Sequence, residues 1–250
     1  MSPIRKFAVV GCVLAVSVPL SAAVAGKSGK SSRLPRGSEP VNLNPADFTT
    51  KVNNPYWPMK PGSRWVYRET DPEGTKQRVV VTVTRKTKRI ANGITARVVH
   101  DVVNEGRKPV EVTDDWYAQD RRGNVWYLGE HTTEYANGKP TTTEGSFEAG
   151  VDGAQPGIIM PARPKVGLRY RQEYYKGHAE DRAGIFSRKE LVEVPYGHFR
   201  RVLMTRDVNP LNKPKGLEYK FFARGVGPVL AVAVSGGSDR EELVRFRRGK

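Results

Sequence analysis

Between residues 111 and 152 the chain carries nine acidic side chains against three basic ones, although its 42 lysines and arginines outnumber 26 acids overall and give a formal net charge of +16. Aromatic residues interleave that acidic stretch: Trp116, Tyr117, Trp126, Tyr127, Tyr135 and Phe147. Carboxylates beside aromatic faces suit a sugar, a polyamine or another cationic group. The candidate ligand-binding set is therefore Trp116, Tyr117, Trp126, Tyr127, Glu130, Glu148 and Asp152. A competing reading makes the acids the exposed rows of strands whose aromatic residues face the core. Paired carboxylates could also cleave a glycosidic bond, with Asp114, Asp115, Glu130, Glu148, Glu173 and Glu180 as the pool. That chemistry needs a separation of about 5 Å or roughly 6.5–9.5 Å between two of them.

A second cluster could hold a metal. His178-Ala179-Glu180-Asp181 places one imidazole and two carboxylates together, with Glu173 just upstream. Calcium would take the oxygens, and zinc would take His178 with a carboxylate. No EF-hand loop, H-E-x-x-H motif or second histidine four residues on accompanies the cluster, so a bound cofactor is not the leading expectation. Nucleophilic catalysis has less support still. There is no G-x-S-x-G, and the glycine pairs Gly225-x-Gly227 and Gly236-Gly237 do not lie between a strand and a helix, as a phosphate loop must. No catalytic residue is assigned.

Residues 1–25 read as a secretory signal peptide: Arg5 and Lys6, an apolar run, then Ala23-Val24-Ala25 as a small-residue cleavage site. The apolar run is short for a membrane span of about 20 residues, so no transmembrane span is expected in the mature chain. Val9-Val10-Gly11-Cys12 resembles a lipobox, but few apolar residues precede Cys12 and more follow it where a polar tether belongs. Cys12 is the single cysteine, so cleavage after Ala25 leaves none and excludes a disulfide scaffold or a cysteine-rich metal site. Residues 26–44 form a basic, flexible linker. Within it residues 26–40, with Lys27, Lys30, Arg33 and Arg36, offer contact with an anionic envelope surface. An exported chain lacking RNP, helix-turn-helix and zinc-finger signatures makes nucleic acid a poor partner. A mean hydropathy of −0.56, with 38% hydrophobic and 27% charged residues, describes a globular protein rather than a polytopic membrane protein or a disordered one.

The elements that must position these groups are strands. Short β-branched or alternating runs recur at 64–69, 79–85, 94–103, 110–118, 124–128, 169–175, 191–194, 200–207, 218–223, 229–234 and 241–246, punctuated by Gly, Pro, Asn and Asp. Residues 130–135 and 139–147 can pair as a hairpin over Asn137-Gly138, and the glycine-rich continuation to Gly157 reads as a loop. Only 179–190 comes near a helical pattern. Five landmarks recur at an offset near 105 residues: Gly62-x-Arg64-Trp65 with Gly167-x-Arg169-Tyr170, Gly93 with Gly197, Asp101 with Asp207, Trp116-Tyr117-Ala118 with Phe221-Phe222-Ala223, and Gly123 with Gly227. The expected fold is all-β: one domain over 45–250, an antiparallel barrel or sandwich with little helix. Two meander-like half-repeats at about 61–129 and 166–234 would build it, joined by an insertion at about 130–165 that could serve as a lid or binding loop.

Several motifs resemble a family of secreted bacterial β-rich proteins without assigned function. They are Asn54-Pro55-Tyr56-Trp57-Pro58-Met59-Lys60-Pro61-Gly62, Asp115-Trp116-Tyr117-Ala118-Gln119-Asp120, Gly123-Asn124-Val125-Trp126-Tyr127, Glu148-Ala149-Gly150-Val151-Asp152-Gly153-Ala154, Tyr170-Arg171-Gln172-Glu173-Tyr174-Tyr175 and Val194-Pro195-Tyr196-Gly197-His198-Phe199. The strand–turn rhythm is also similar, at the level of fold, to periplasmic curved-barrel proteins that carry lipid-like ligands. The resemblance implies no catalytic residues. Together these observations predict a secreted, non-catalytic or envelope-associated barrel holding an apolar, amphipathic or polymeric ligand such as a glycan, with a carboxylate hydrolase as the alternative.

Overall fold

Alternation decides the architecture. In Val79-Val80-Val81-Thr82-Val83 the odd residues are apolar and in phase with Trp65-x-Tyr67 before them and Val99-x-Asp101-x-Val103 after them. A sheet with that pattern has one inner face to cover, and curling it on itself covers that face. The computed structural model describes residues 34–70 and 74–250. The expected signal peptide, Cys12 and residues 26–33 of the basic linker lie outside the described residues.

Among the described residues sixteen strands follow a short 3₁₀ turn at Pro45–Asp47. They are β1 (Phe48–Thr49), β2 (Arg64–Thr70), β3 (Lys76–Arg89), β4 (Thr95–Glu105), β5 (Lys108–Asp120), β6 (Val125–Ala136), β7 (Lys139–Thr142), β8 (Phe147–Glu148), β9 (Gln155–Met160), β10 (Arg169–Arg171), β11 (Glu173–Tyr174), β12 (Arg182–Val194), β13 (Gly197–Asn209), β14 (Gly216–Ala223), β15 (Gly227–Ser235) and β16 (Arg240–Arg247). Among the described residues no helix is long and apolar enough to cross a membrane. The stretch 179–190, the nearest to a helical pattern, lies mostly in β12. Its bulges against β13 blur the strand period.

One antiparallel sheet runs β10-β12-β13-β14-β15-β16-β2-β3-β4-β5-β6-β9-β11 and nearly closes. The two ends of that order are consecutive in sequence. Arg169–Arg171 pairs with β12, Glu173–Tyr174 pairs with β9, and Gln172 sits between them. One six-residue segment thus ties the first edge to the last and leaves little unpaired backbone to template aggregation. Gln172 N–H donates to the Asp181 carbonyl at 2.7 Å, which locks the seam from a third side.

Two expectations change here. Residues 155–157, the end of the expected loop, open β9 (Gln155–Met160), which supplies one side of the seam. The glycine at 157 is what the strand needs: a Cβ there would stand 2.2 Å from the Gln172 backbone. The rest of the insertion is also mostly built in, as the end of β6, β7 and β8. Its glycine-rich turn is closed by Gly150 N–H on the Ala154 carbonyl and docks on the β3–β4 turn rather than hanging free. Residues 34–44, expected to be part of a flexible tether, lie against the outer wall. Arg171, 1% exposed, sends its guanidinium outward to the carbonyls of Pro156, Gly37 and Glu39, while its N–H donates to Pro35. Burial lowers the pKa of Arg171, with Glu39 opposing the shift.

One pair of the landmarks, the turns at Gly62 and Gly167, shares a hydrogen-bond pattern. Gly62 N–H donates to Val83 O, Val83 N–H to Ser63 O and Ser63 N–H to Lys60 O. Gly167, Ile185, Leu168 and Lys165 repeat the same three bonds.

Gly157→Ala forces the two sides of the seam apart. It is expected to lower stability by about 1–3 kcal/mol, the range for overpacking a closed contact, measured as a shift in the urea unfolding midpoint at unchanged m-value.

Candidate functional site: an acidic lumen with an aromatic floor

Strand phase sends a column of side chains into the barrel. On β2 these are Trp65, Tyr67 and Glu69; on β3, Val79, Val81 and Val83; on β4, Val99, Asp101 and Val103; on β5, Thr113, Asp115 and Tyr117. Cross-strand register aligns them, with Tyr67 opposite Val79, Val81 opposite Asp101, and Asp101 opposite Thr113. On β6 the phase breaks. Asp115 pairs with Glu130 while Tyr117 pairs with Tyr127, so three residues of β6 span what two of β5 span. This bulge, at Gly129 with φ 132°, turns both Tyr127 and Glu130 inward. Gly129 is required there, because a Cβ would stand 2.2 Å from the Phe147 carbonyl oxygen.

The cavity so formed has a volume of about 110 Å³. Its floor is apolar and rigid. Trp65 Nε1 donates to Val226 O at 2.9 Å, the Tyr67 hydroxyl donates to Pro228 O at 3.1 Å, and Tyr117 stacks on Tyr127 with ring centroids 5.0 Å apart. Above the floor sit seven carboxyl groups and one ammonium: Glu69, Asp101, Asp115, Glu130, Glu173, Asp181, Glu241 and Lys220. A vestibule shares Glu69, Asp181, Lys220 and Glu241 and adds Asp207, Glu218 and Asp239, so the acidic belt opens toward the loops that follow β13 and β15. Alanines 231 and 233 face inward between the long side chains of β14 and β16 and keep this level open.

Lys220 is the electrostatic centre. Its Nζ lies 3.3 Å from both Asp207 Oδ2 and Glu218 Oε2, and Gln172 donates to the same Asp207 oxygen at 3.0 Å. Burial disfavours the ammonium, but Glu218, Asp207 and Asp181 outweigh burial and raise its pKa. One cation cannot serve every acid. Burial pushes Glu173 well above the usual carboxylate range, and Asp181 and Glu130 push it further. Burial also raises Asp181 well above its usual range, despite the opposing pull of Lys220. Glu241 is raised by burial and then by Glu69 and Asp101, and Glu218 chiefly by burial. Glu173 Oε1 and Asp207 Oδ1 are buried without a hydrogen-bond partner, and their residues are 4% and 5% exposed. Asp115 differs, since the Tyr127 hydroxyl donates to its Oδ1 at 2.8 Å.

The structure divides the residues singled out in the sequence. Tyr117, Tyr127 and Glu130 line the cavity. Trp116 and Trp126, in the opposite phase, lie on the outer wall, where Lys88 Nζ stands 4.1 Å over the Trp116 ring and Phe48 meets Trp126 edge-on. Glu148 pairs with Lys88 at 2.9 Å and accepts from Ala91 N–H, while Asp152 sits exposed in the glycine-rich turn. Of the metal candidates, Glu173 and Asp181 enter the lumen. His178 stacks on Tyr175, and Glu180 accepts from Gly177 N–H in the turn before β12. Among the described residues no three His, Cys, Asp or Glu side chains are placed to hold a metal ion. Of the hydrolase pool, Asp115, Glu130 and Glu173 converge in the cavity, whereas Asp114 faces out to His100 at 2.7 Å. Glu69, Asp101, Asp207, Lys220 and Glu241 line the cavity or its vestibule and were not proposed as site residues from the sequence. Their signal is a charge in the apolar phase of a strand, as in Trp65-x-Tyr67-x-Glu69 and Glu241-x-Leu243.

No protein-family model matches the chain, and no curated protein matches it. The fold is similar to two solved structures. One is a protein predicted to be exported, with a YmcC-like fold, from Bacteroides fragilis, at 14% identity and TM-score 0.45, covering 77% of this chain and 99% of that one. The other is a predicted lipoprotein from Parabacteroides distasonis, at 13% identity and TM-score 0.37, covering 77% and 98%.

Acids with raised pKa hold protons in the folded state that the unfolded chain has released, so they favour folding below their ordinary value and lose that contribution as pH rises through the folded value. With Glu173, Glu241 and Glu218 raised from 4.5 and Asp181 from 3.8, the thermal midpoint is expected to rise as pH falls from neutrality toward 4.5. Lys220→Met removes the ammonium facing Asp181, Asp207 and Glu218. It should cost roughly 3–5 kcal/mol near neutrality and less at acid pH, read from urea unfolding at both.

Proposed function

We propose that this chain is an exported, non-catalytic β-barrel that binds an organic cation with an apolar body inside its lumen. The observation that carries the reading is the lumen itself, where seven carboxyl groups share one ammonium above an aromatic and aliphatic floor. A guest with a positive nitrogen would meet the carboxyls of Glu173, Glu130 and Asp115, while its apolar part would exchange water for Tyr67, Tyr117, Tyr127 and the valines of β3 and β4. A bare divalent ion uses only half of such a surface, and a neutral lipid only the other half. Export rests on the leader at residues 1–25, and the basic stretch 26–40 would hold the barrel near an anionic envelope surface.

Titration calorimetry with octylammonium tests the reading against two controls: octanol, which lacks the charge, and magnesium chloride, which lacks the apolar body. Octylammonium alone is expected to bind, and Glu173→Gln should weaken it at least about tenfold. Equal binding of octanol would make the protein a carrier of neutral apolar molecules and sink the cation reading.

A second reading is favoured by one observation, the convergence of Asp115, Glu130 and Glu173. A hydroxyl-bonded Asp115 beside a Glu173 whose pKa is raised by burial has the split character of a general base and a general acid. That reading requires reducing ends to appear when the protein meets a wall polysaccharide, and requires Glu173→Gln and Asp115→Asn each to abolish them.

A further inference from the structure

The two halves of the barrel differ on the outside. On the first half the outward aromatics Trp116 and Trp126 are 7% and 6% exposed, covered by Lys88 and by the N-terminal segment that ends in β1. On the second half register aligns a corresponding outward row across four strands, Arg206 on β13, Tyr219 on β14, Val232 on β15 and Arg240 on β16, and beside it Met204, Phe221 and Leu230. The apolar members of these rows are half-buried, and the β12–β13 turn reaches across to β16, where Tyr196 N–H donates to the Leu243 carbonyl at 3.0 Å. Phe186 on β12 leans on Tyr219 with ring centroids 5.7 Å apart and is still 53% exposed, and Leu191, outward on the same strand, is 70% exposed. Exposed basic residues surround them: Arg182, Arg188, Lys189, Arg200 and Arg206, against Glu190 and Glu193, while Arg240 is paired with Glu242 at 2.8 Å.

We infer that the outer wall of β12–β15 docks on the surface of an anionic lipid bilayer. The charge complementarity is direct, since Asp207, Glu218 and Glu241 point into the lumen and the outward acids Glu190, Glu193 and Glu242 are outnumbered by exposed arginines and lysines. The apolar tips decide between lipid and polymer. A soluble polyanion engages arginines only, whereas a bilayer also buries Phe186, Leu191 and the edge of Tyr219 at the headgroup–acyl boundary while phosphates take Arg188, Lys189 and Arg206. Register shifts between β12 and β13 fall at 185–192, the stretch that carries both exposed side chains. The surface is separate from the lumen and does not depend on what the lumen binds.

The test uses the full chain with vesicles of equal parts phosphatidylcholine and phosphatidylglycerol, and with pure phosphatidylcholine. Amide exchange in peptides covering 185–192 and 216–223 is expected to slow with the mixed vesicles only. This readout is local, so anchoring by the N-terminal segment does not produce it. Two variants, checked for parental thermal midpoints, divide the contributions: Phe186→Ser with Leu191→Ser, and Arg188→Ser with Lys189→Ser and Arg206→Ser. Each should weaken that local protection about tenfold in lipid concentration, whereas Lys27→Ser with Lys30→Ser should leave it unchanged. Protection confined to residues 34–49, or unaffected by either wall variant, overturns the inference. Loss with the arginine–lysine variant alone, together with full displacement by soluble polyphosphate, also overturns it and assigns the wall to an anionic polymer.

Discussion

The ammonium of Lys220, held 3.3 Å from Asp207 and from Glu218, is the interaction on which the lumen depends. A closed sheet of this size could fill its centre with valine and leucine, as its floor nearly does. Instead the level above the floor is lined with acids from β2, β4, β5, β6, β11, β13, β14 and β16, and with Asp181 before β12. Such groups tolerate burial only when paired, protonated or matched by a guest. Lys220 pairs with two, and protons serve others, as the raised pKa values of Glu173 and Glu241 show. The belt is acidic throughout, with Lys220 as the one ammonium that lines the cavity.

The same arrangement accounts for the composition. A chain of net +16 that turns so many carboxyls inward must show the outside a surface more basic still. The sign of the charge therefore reverses across one layer of sheet, and strand alternation is the device that does it. Trp116 and Tyr117 are adjacent in sequence, yet one packs under Lys88 outside and the other lines the cavity.

Much of this was legible in the sequence, because period-two patterning is local. The all-β class, the hairpin at Asn137-Gly138 and most strand positions follow from residue type and turn chemistry alone. β9 was not legible, since Gly157 reads as loop unless one knows that Gln172 passes against it. The acidic–aromatic stretch mixed both faces, with Tyr117, Tyr127 and Glu130 on the cavity and Trp116 and Trp126 on the outer wall. Tyr117, Tyr127 and Glu130 belong together only because of the bulge at Gly129, which breaks the phase in a way no periodicity predicts. Lys220 and Glu241 lie far beyond the end of that stretch at residue 152, and closure brings them to it.

Closure is also the weakest joint of the tube. The segment at 169–174 holds one edge by three residue pairs and the other by two, where neighbouring strands share seven or more on either side of β2–β5. Gln172, at its midpoint, is hydrogen-bonded to Asp207, and Glu173 follows it into the cavity. A sideways parting of these few bonds would open a slit beside the acidic belt along the barrel's flank, so a long guest need not be threaded through the vestibule end-first.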